Sequence, residues 1–371
     1  MPRMFDILRG KEEKPDEDAE KVEEKDEKKD IDIPPSKSPE PPVSFPKQDM
    51  MTKIEDEKKP EDHSLVSKKL IAEVRKHGVD NQEKAKDIYE KAVETLKTLL
   101  VKIRTREDLS VYMDKLYGLL DDLFNQLVLG DSILTNIYDD RVEEYYLPHH
   151  IVNVVILSSI IGLNMGFNKS RLSHIGLSSI FHDVGMDALR EIAAQSRKLT
   201  DEEHGLVKTH IQNSLAVVDR VGTFSEVVKE TIRQHHERID GSGYPKGMKA
   251  DKINAYAKIL ALADTYEAIT HKRPHRAALN AHNAVRFLLG SLKNNFDSGV
   301  IKLFINKMSV YPVGSIVILE TDEIARVISV QPGSPLRPVV MILRDADGEP
   351  VKQSSVIDLS RQDFPSIKGS I

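Results

Sequence analysis

The chain is 371 residues long, 40% of them apolar and 30% charged, with a formal net charge of −6 and no cysteine. That length supports one or two buried cores, and the missing thiols exclude disulfides and thiolate chemistry and fit a reducing compartment. Any metal ion therefore has to be held by nitrogen and oxygen ligands.

The acidity is concentrated at the start. Residues 1–62 carry 13 Lys and Arg against 20 Asp and Glu, a net of −7 that leaves the rest of the chain at +1. They also hold 9 of the 18 prolines. Such a stretch buries too little apolar surface to offset its chain entropy, so it is expected to be a disordered, acidic, Pro-rich leader, acting as a tether or as a docking segment for a protein partner. The opening "MPRMFDILRG" lacks the apolar core and cleavage site of a secretory signal, and a cytoplasmic location is expected.

Residues 63–140 read as an N-terminal helical region. In "DIYEKAVETLKTLLVKI", Ile88, Ala92, Val93, Leu96, Leu99, Leu100 and Ile103 recur at three-and-four spacing. Leu116, Leu119, Leu120, Leu123 and Leu127 do the same in "LSVYMDKLYGLLDDLFNQL". Thr105, ahead of "RED", is expected to cap the second helix. Nothing in these helices suggests chemistry; they are candidates for a homodimer contact.

Residues 141–308 keep the helical period and hold 11 of the 13 histidines. Residues 147–168 contain no Asp, Glu, Lys or Arg and are about long enough to span a bilayer. They also carry His149, His150, Asn153, Ser158, Ser159 and Asn164, so a buried core helix is expected and no membrane partner. Thr200 with Glu203 makes a capping box for "DEEHGLVKTHIQNSLAVVDRV", and Asp251 is expected to open "KINAYAKILALADTYEAIT". Polar loops at 240–250 and 270–278 interrupt this all-helical domain.

Beyond residue 309 the texture becomes β-branched. "VGSIVILE", "IARVISV" and "PVVMILRD", separated by "TDE" and "QPGSPLRP" and followed by "ADGEP", predict a small antiparallel β unit over 309–371, a second candidate for a protein partner. The expected fold class is mainly α, with the helical region, the all-helical domain and the β unit following the leader. A near-neutral body without a basic stripe interleaved with aromatics predicts no nucleic-acid binding.

Chemistry concentrates in one set: His150, His182 with Asp183, His210, the adjacent His235 and His236, and Asp264. Neighbouring residues on a helix point about 100° apart. Adjacent ligands can therefore share a centre only at a helix end, or where two ions lie side by side. Asp183 has two oxygens and could bridge such a pair. Thiolate-free, imidazole-rich sites suit iron, manganese, zinc or nickel. Two ions side by side suit the hydrolysis of a phosphate ester, because they can activate water, neutralise phosphate oxygens and hold the leaving group.

These residues carry a resemblance. His150 in "HIVNV", "HDVG" at 182–185, "KTH" ending at His210, "HHERIDGSGYPKGMK" from His235, "LADTYEAIT" around Asp264 and "RPHR" at 273–276 resemble the HD-GYP family of metal-dependent HD phosphohydrolases. The resemblance covers about residues 147–308. It implies a helical domain that hydrolyses cyclic di-GMP to linear pGpG, with GMP as a further product, by attack of a hydroxide bridging two divalent ions, iron or manganese first and zinc or nickel next. It implies that His150, His182, Asp183 and Asp264 hold one ion, and Asp183, His210, His235 and His236 the other, with His182 and Asp183 at the catalytic step. Tyr244 of "GYP", Arg273 and Arg276 would contact the dinucleotide, and guanidinium forks suit phosphate oxygens on their own account.

The chain departs from the family at three places. Met186 stands where a lysine is common, Tyr146 where members with a third metal have glutamate, and His275 where "RPYR" has tyrosine. Two ions are expected, not three. Met186 motivates the competing reading: a degenerate protein that binds cyclic di-GMP as a sensor, or serves as an interaction scaffold, with little or no turnover. Of the adjacent His149 and His150, His150 is preferred as the ligand because Asn153 and Val154 then fall where the family pattern has them, and His174, His204, His271 and His282 are expected to be non-ligands.

Overall fold

The computed structural model describes residues 68–370 except 131, 138–145, 223, 274–275, 312, 331–333, 335, 352–354 and 362–364, with side chains from residue 81 onward. The leader and His275 lie outside the described residues.

Helix α1 (Lys68–Arg104) and helix α2 (Met113–Leu129) bury the leucines that their spacing singled out, among them Leu96, Leu99, Leu100, Leu116, Leu120 and Leu123. Each contributes about 1.5–3 kcal/mol on burial. Thr105 does not cap α2. Its hydroxyl donates back to Val101 O at 3.1 Å, while Asp108 accepts from Ser110 N at 2.9 Å and starts the short 3-10 turn that leads into α2. Asp108 is closer to the helix start, so its carboxylate reaches the free N–H groups first.

The charge-free segment forms α3 (Leu147–Asn164), with a mean hydropathy of 1.4 and 83% of its residues buried. It is long and apolar enough to cross a membrane, but α1, α4 (Lys169–Phe181), α9 (Ala255–Thr270) and α11 (Ser298–Met308) pack around it. That is the setting of a core helix. After α4 come a 3-10 segment at Val184–Leu189, α5 (Arg190–Ala193), α6 (Asp201–Lys208), α7 (His210–Val221), α8 (Glu226–Gln234) and, following α9, α10 (Ala281–Leu289). At the C-terminal end of α1, Arg104 Nε lies 2.8 Å from the buried Asp187 carboxylate in the 3-10 segment.

The capping box at Thr200 and Glu203 is formed, but the helix it opens breaks at Thr209 into α6 and α7. Asp251 does not open α9. It lies in a 3-10 turn, Ile253 is extended, and Asn254 caps by accepting from Tyr256 N at 2.7 Å. Asn254 N in turn donates to Gln234 Oε1 at 2.8 Å, a tertiary contact that fixes the start of α9 three residues later than the local pattern suggests.

The C-terminal unit is one antiparallel sheet of β1 (Ile316–Leu319), β2 (Ile324–Ser329), β3 (Val339–Arg344), β4 (Val356–Asp358) and β5 (Ile367–Ser370), in the order β4-β3-β2-β1-β5. The first three were legible as β-branched runs. The other two are short, and β5, with Lys368 and Gly369, becomes a strand by pairing along β1.

Candidate metal centre

The candidate ligands sit where helices stop or start. His182 is the residue after α4, and Asp183 follows with φ −116° and ψ 7°, in the sparse bridge region of backbone space. His235 follows the last residue of α8, His236 comes next, and His210 opens α7. Ending the helix just before each pair frees its two members from the 100° divergence, so both side chains can face one centre.

They do face one centre. His150, His182, Asp183 and Asp264 offer ligand atoms within 4.8 Å of one another, and so do Asp183, His210, His235 and His236. We refer to these as the first and second groups. Asp183 joins them: Oδ2 lies 3.4 Å from His150 Nε2 and 3.8 Å from His182 Nε2, while Oδ1 lies 3.2 Å from His210 Nε2 and 3.7 Å from His235 Nε2. Asp264 Oδ1 stands 3.4 Å from His150 Nε2.

The other ring nitrogens fix the tautomers. His182, His210 and His235 each donate Nδ1–H to the carbonyl three residues back, Ser179 at 2.8 Å, Val207 at 2.6 Å and Ile232 at 2.7 Å. A carbonyl can only accept, so in the neutral rings Nε2 is the bare nitrogen. His210 Nε2 and His235 Nε2 then face each other at 3.4 Å, two lone pairs with no proton to share. His182 Nε2 and Asp183 Oδ1 are buried without a hydrogen-bond partner. Converging lone pairs around an ionised carboxylate are unfavourable in isolation and fit divalent cations well.

The charge states agree with that fit. Burial pushes His182 down to about 4, and burial also lowers His210 and His236. Burial would raise Asp183, but His182 and His210 hold its carboxyl well below the usual carboxylate range. His150 is the exception: burial lowers it, yet Glu267 and Asp183 outweigh this and hold it up at about 10. At neutral pH the metal-free His150 therefore carries a second ring proton, which an ion on Nε2 has to displace. Loading the first group at pH 7.5 should release about one proton per chain, and its affinity should rise with pH up to about 10. Calorimetric titration with Mn(II) in two buffers of different ionisation heat checks this; uptake without proton release contradicts it.

Glu267, which the sequence analysis did not single out, organises the outer side of the first group. It accepts from His150 Nδ1 at 2.5 Å and from Arg273 Nη2 at 2.7 Å, and it lies one helical turn after Asp264 on the same face of α9. That i, i+3 spacing was the available signal. Arg273 is thus tied to Glu267, with its guanidinium 3.9 Å from the Tyr146 ring centroid. Tyr146 is a partly buried phenol whose pKa burial raises, so it remains protonated beside the site. Arg276 points elsewhere, donating to the Ala268 and Ile269 carbonyls at the end of α9.

The "DGSGYP" loop is clamped against the second group. Glu237, buried, accepts from Lys246 N at 2.7 Å and Met248 N at 2.8 Å. A Cβ on Gly243 would lie 2.4 Å from His236 O, so only glycine allows the loop to close this tightly. Gly241 and Gly247 adopt φ +83° and +63°. The result stacks Tyr244 on His236, with ring centroids 4.6 Å apart, and places Lys208 Nζ 5.2 Å from the Tyr244 centroid. Burial raises the Tyr244 phenol pKa, so it offers a neutral ring and hydroxyl. Met186 is partly buried and packs against the core.

Residues 135–300 match the family described as HD domain, and residues 316–370 match the KOW domain associated with HD domain. The chain is 30% identical over 244 residues to the cyclic di-GMP phosphodiesterase PA4108 of Pseudomonas aeruginosa, covering 66% of this chain and 59% of that protein. It is 27% identical over 214 residues to the cyclic di-GMP phosphodiesterase PdeB of Borreliella burgdorferi, covering 57% of this chain and 54% of that one. It is also 26% identical over 181 residues to the 3'3'-cGAMP-specific phosphodiesterase 1 of Vibrio cholerae, covering 48% and 41%. The chain thus spans less than two thirds of the length of each.

Proposed function

We propose that the chain, whose residues 135–300 match the HD domain family, is a metal-dependent phosphodiesterase of the HD-GYP type that opens cyclic di-GMP to linear pGpG and carries some of it on to GMP. The observation that carries the reading is the placement of Asp183, whose two oxygens face two separate histidine groups. His150, His182, Asp183 and Asp264 would hold one ion, and Asp183, His210, His235 and His236 the other, with iron or manganese the first choice. When bound, such ions would neutralise a phosphodiester and lower the pKa of water.

The chain's own groups divide the remaining work. The carbonyls of Ser179, Val207 and Ile232 hold three imidazoles with Nε2 inward. Tyr244, at the lip of the second group, offers a face on which a guanine base can stack. Lys208 adds positive charge at that lip, suited to an anionic substrate. Arg273 stays cationic beside the first group, since burial is outweighed by Glu267. Arg276, committed to the α9 carbonyls, would reach substrate only by releasing them.

The test is anaerobic purification, quantification of bound metal, loading with Fe(II) or Mn(II), and chromatography of the products from cyclic di-GMP and from other cyclic dinucleotides. Metal-loaded protein that turns over no nucleotide would sink the reading. A second reading, a cyclic di-GMP sensor or scaffold with little turnover, is favoured by Met186, which brings a thioether rather than an ammonium to the "HDVGM" turn. If charge at this position limits the rate, Met186→Lys should raise kcat about tenfold with metal content unchanged. Steady-state kinetics on the two proteins decide it.

A further inference from the structure

Helix α1 ends before residue 135, where the match to the HD domain begins, yet one of its side chains is linked to the first group through two intervening residues. Tyr89 is 4% exposed, and its hydroxyl lies 2.9 Å from Asn153 Oδ1 and 3.3 Å from His149 Nδ1. Asn153, 1% exposed, donates Nδ2–H to Glu267 Oε1 at 3.3 Å. The other oxygen of Glu267 accepts from His150 Nδ1 at 2.5 Å. The path from α1 to a candidate ligand is four residues long, and three of its members come from separate helices, α1, α3 and α9.

The direction of these bonds is fixed by chemistry. An ionised carboxylate only accepts, so Asn153 must turn its NH2 toward Glu267 and its carbonyl toward Tyr89. That carbonyl needs a donor, and the phenolic O–H supplies it. Without the hydroxyl, the buried amide carbonyl loses its donor and Asn153 its tie to α1, and Glu267 loses a constraint on the oxygen opposite His150. Groups behind a ligand commonly set its orientation and basicity.

We propose that Tyr89 is a positioning residue for the first metal group, acting through Asn153 and Glu267 on His150. The proposal rests on the two-ion reading above but not on the substrate. It gives the N-terminal helical region a chemical connection to the centre in addition to its packing role.

The experiment is titration of metal-free protein with Co(II), followed by visible absorption, with His150→Gln and His236→Gln assigning each binding step to its group. Tyr89→Phe should weaken the first-group step about tenfold and leave the second-group step within about twofold. Tyr112→Phe is the control, because its hydroxyl donates to Thr95 O at 2.9 Å in the same helical region and leads to no ligand. In a Glu267→Gln background, Tyr89→Phe should add no further loss, since the path is already cut. Equal weakening of both steps, no change in either, or full additivity with Glu267→Gln would each overturn the inference. So would a wild-type protein that takes up no Co(II) in the first group. Wild-type protein that binds Co(II) with the predicted Tyr89 dependence but cleaves no dinucleotide overturns the phosphodiesterase reading alone.

Discussion

On the two-ion phosphodiesterase reading proposed above, replacing Asp183 with alanine should lower cyclic di-GMP hydrolysis by more than about 10³-fold and bring bound metal from two ions per chain to fewer than one. The reason is geometric. Asp183 is the residue common to both groups, with Oδ2 3.4 Å from His150 Nε2 and Oδ1 3.2 Å from His210 Nε2. Removing it takes the only carboxylate from the second group and one of two from the first. The imidazoles left behind share no anionic bridge, so two cations held side by side lose the negative charge that offsets their mutual repulsion. Metal analysis beside product chromatography checks both halves; full metal content with normal turnover would refute the bridging role.

The second large effect is expected at Gly185, which touches no candidate ligand atom. A Cβ there would lie 2.2 Å from His210 O and 2.6 Å from Ser214 N, both backbone atoms of α7. The turn is also sewn to α7, since Gly185 N donates to Ser214 Oγ at 2.9 Å and Ser214 Oγ donates to His182 O at 2.8 Å. Gly185→Ala must push the 182–185 turn away from α7 and so separate His182 and Asp183 from His210. Overpacking of this kind costs about 1–3 kcal/mol. A displacement near 1 Å at the reacting groups costs about 10²-fold in rate. Gly205→Ala on α6 is the comparison, because its Cβ would meet nothing within 4 Å, and it should be neutral or slightly stabilising. Thermal melts and kcat for the two variants check the contrast; a Gly185→Ala protein that behaves like Gly205→Ala would contradict it.

Local texture was a good guide wherever one periodic force dominates. The leucine stripes of α1 and α2, the apolar run of α3 and the β-branched runs of β1 to β3 were all legible, because burial of regularly spaced side chains outweighs everything else there. It was a poor guide to ends. Thr105 and Asp251 are plausible caps by type, but α2 starts without a side-chain cap, behind a 3-10 turn whose Ser110 N donates to Asp108, and Asn254 caps α9 with its own N–H held by Gln234 from another helix. Arg276 has the right chemistry for a phosphate and instead donates to the end of α9.

The amino-acid sequence by itself determined the helical class of the body, the β-rich tail and the seven side chains whose types and adjacency suit two cations, since these depend on residue chemistry and short-range spacing. Only the tertiary structure decided which nitrogen of each histidine points inward, that Glu267 backs His150, that Gly185 lets the 182–185 turn close on α7, and that Tyr89 joins the site from outside the HD domain. The tautomers follow from how each helix ends, on carbonyls three residues back, whereas the other three features join residues 25 to 117 positions apart, whose separations are set by how the helices pack around α3.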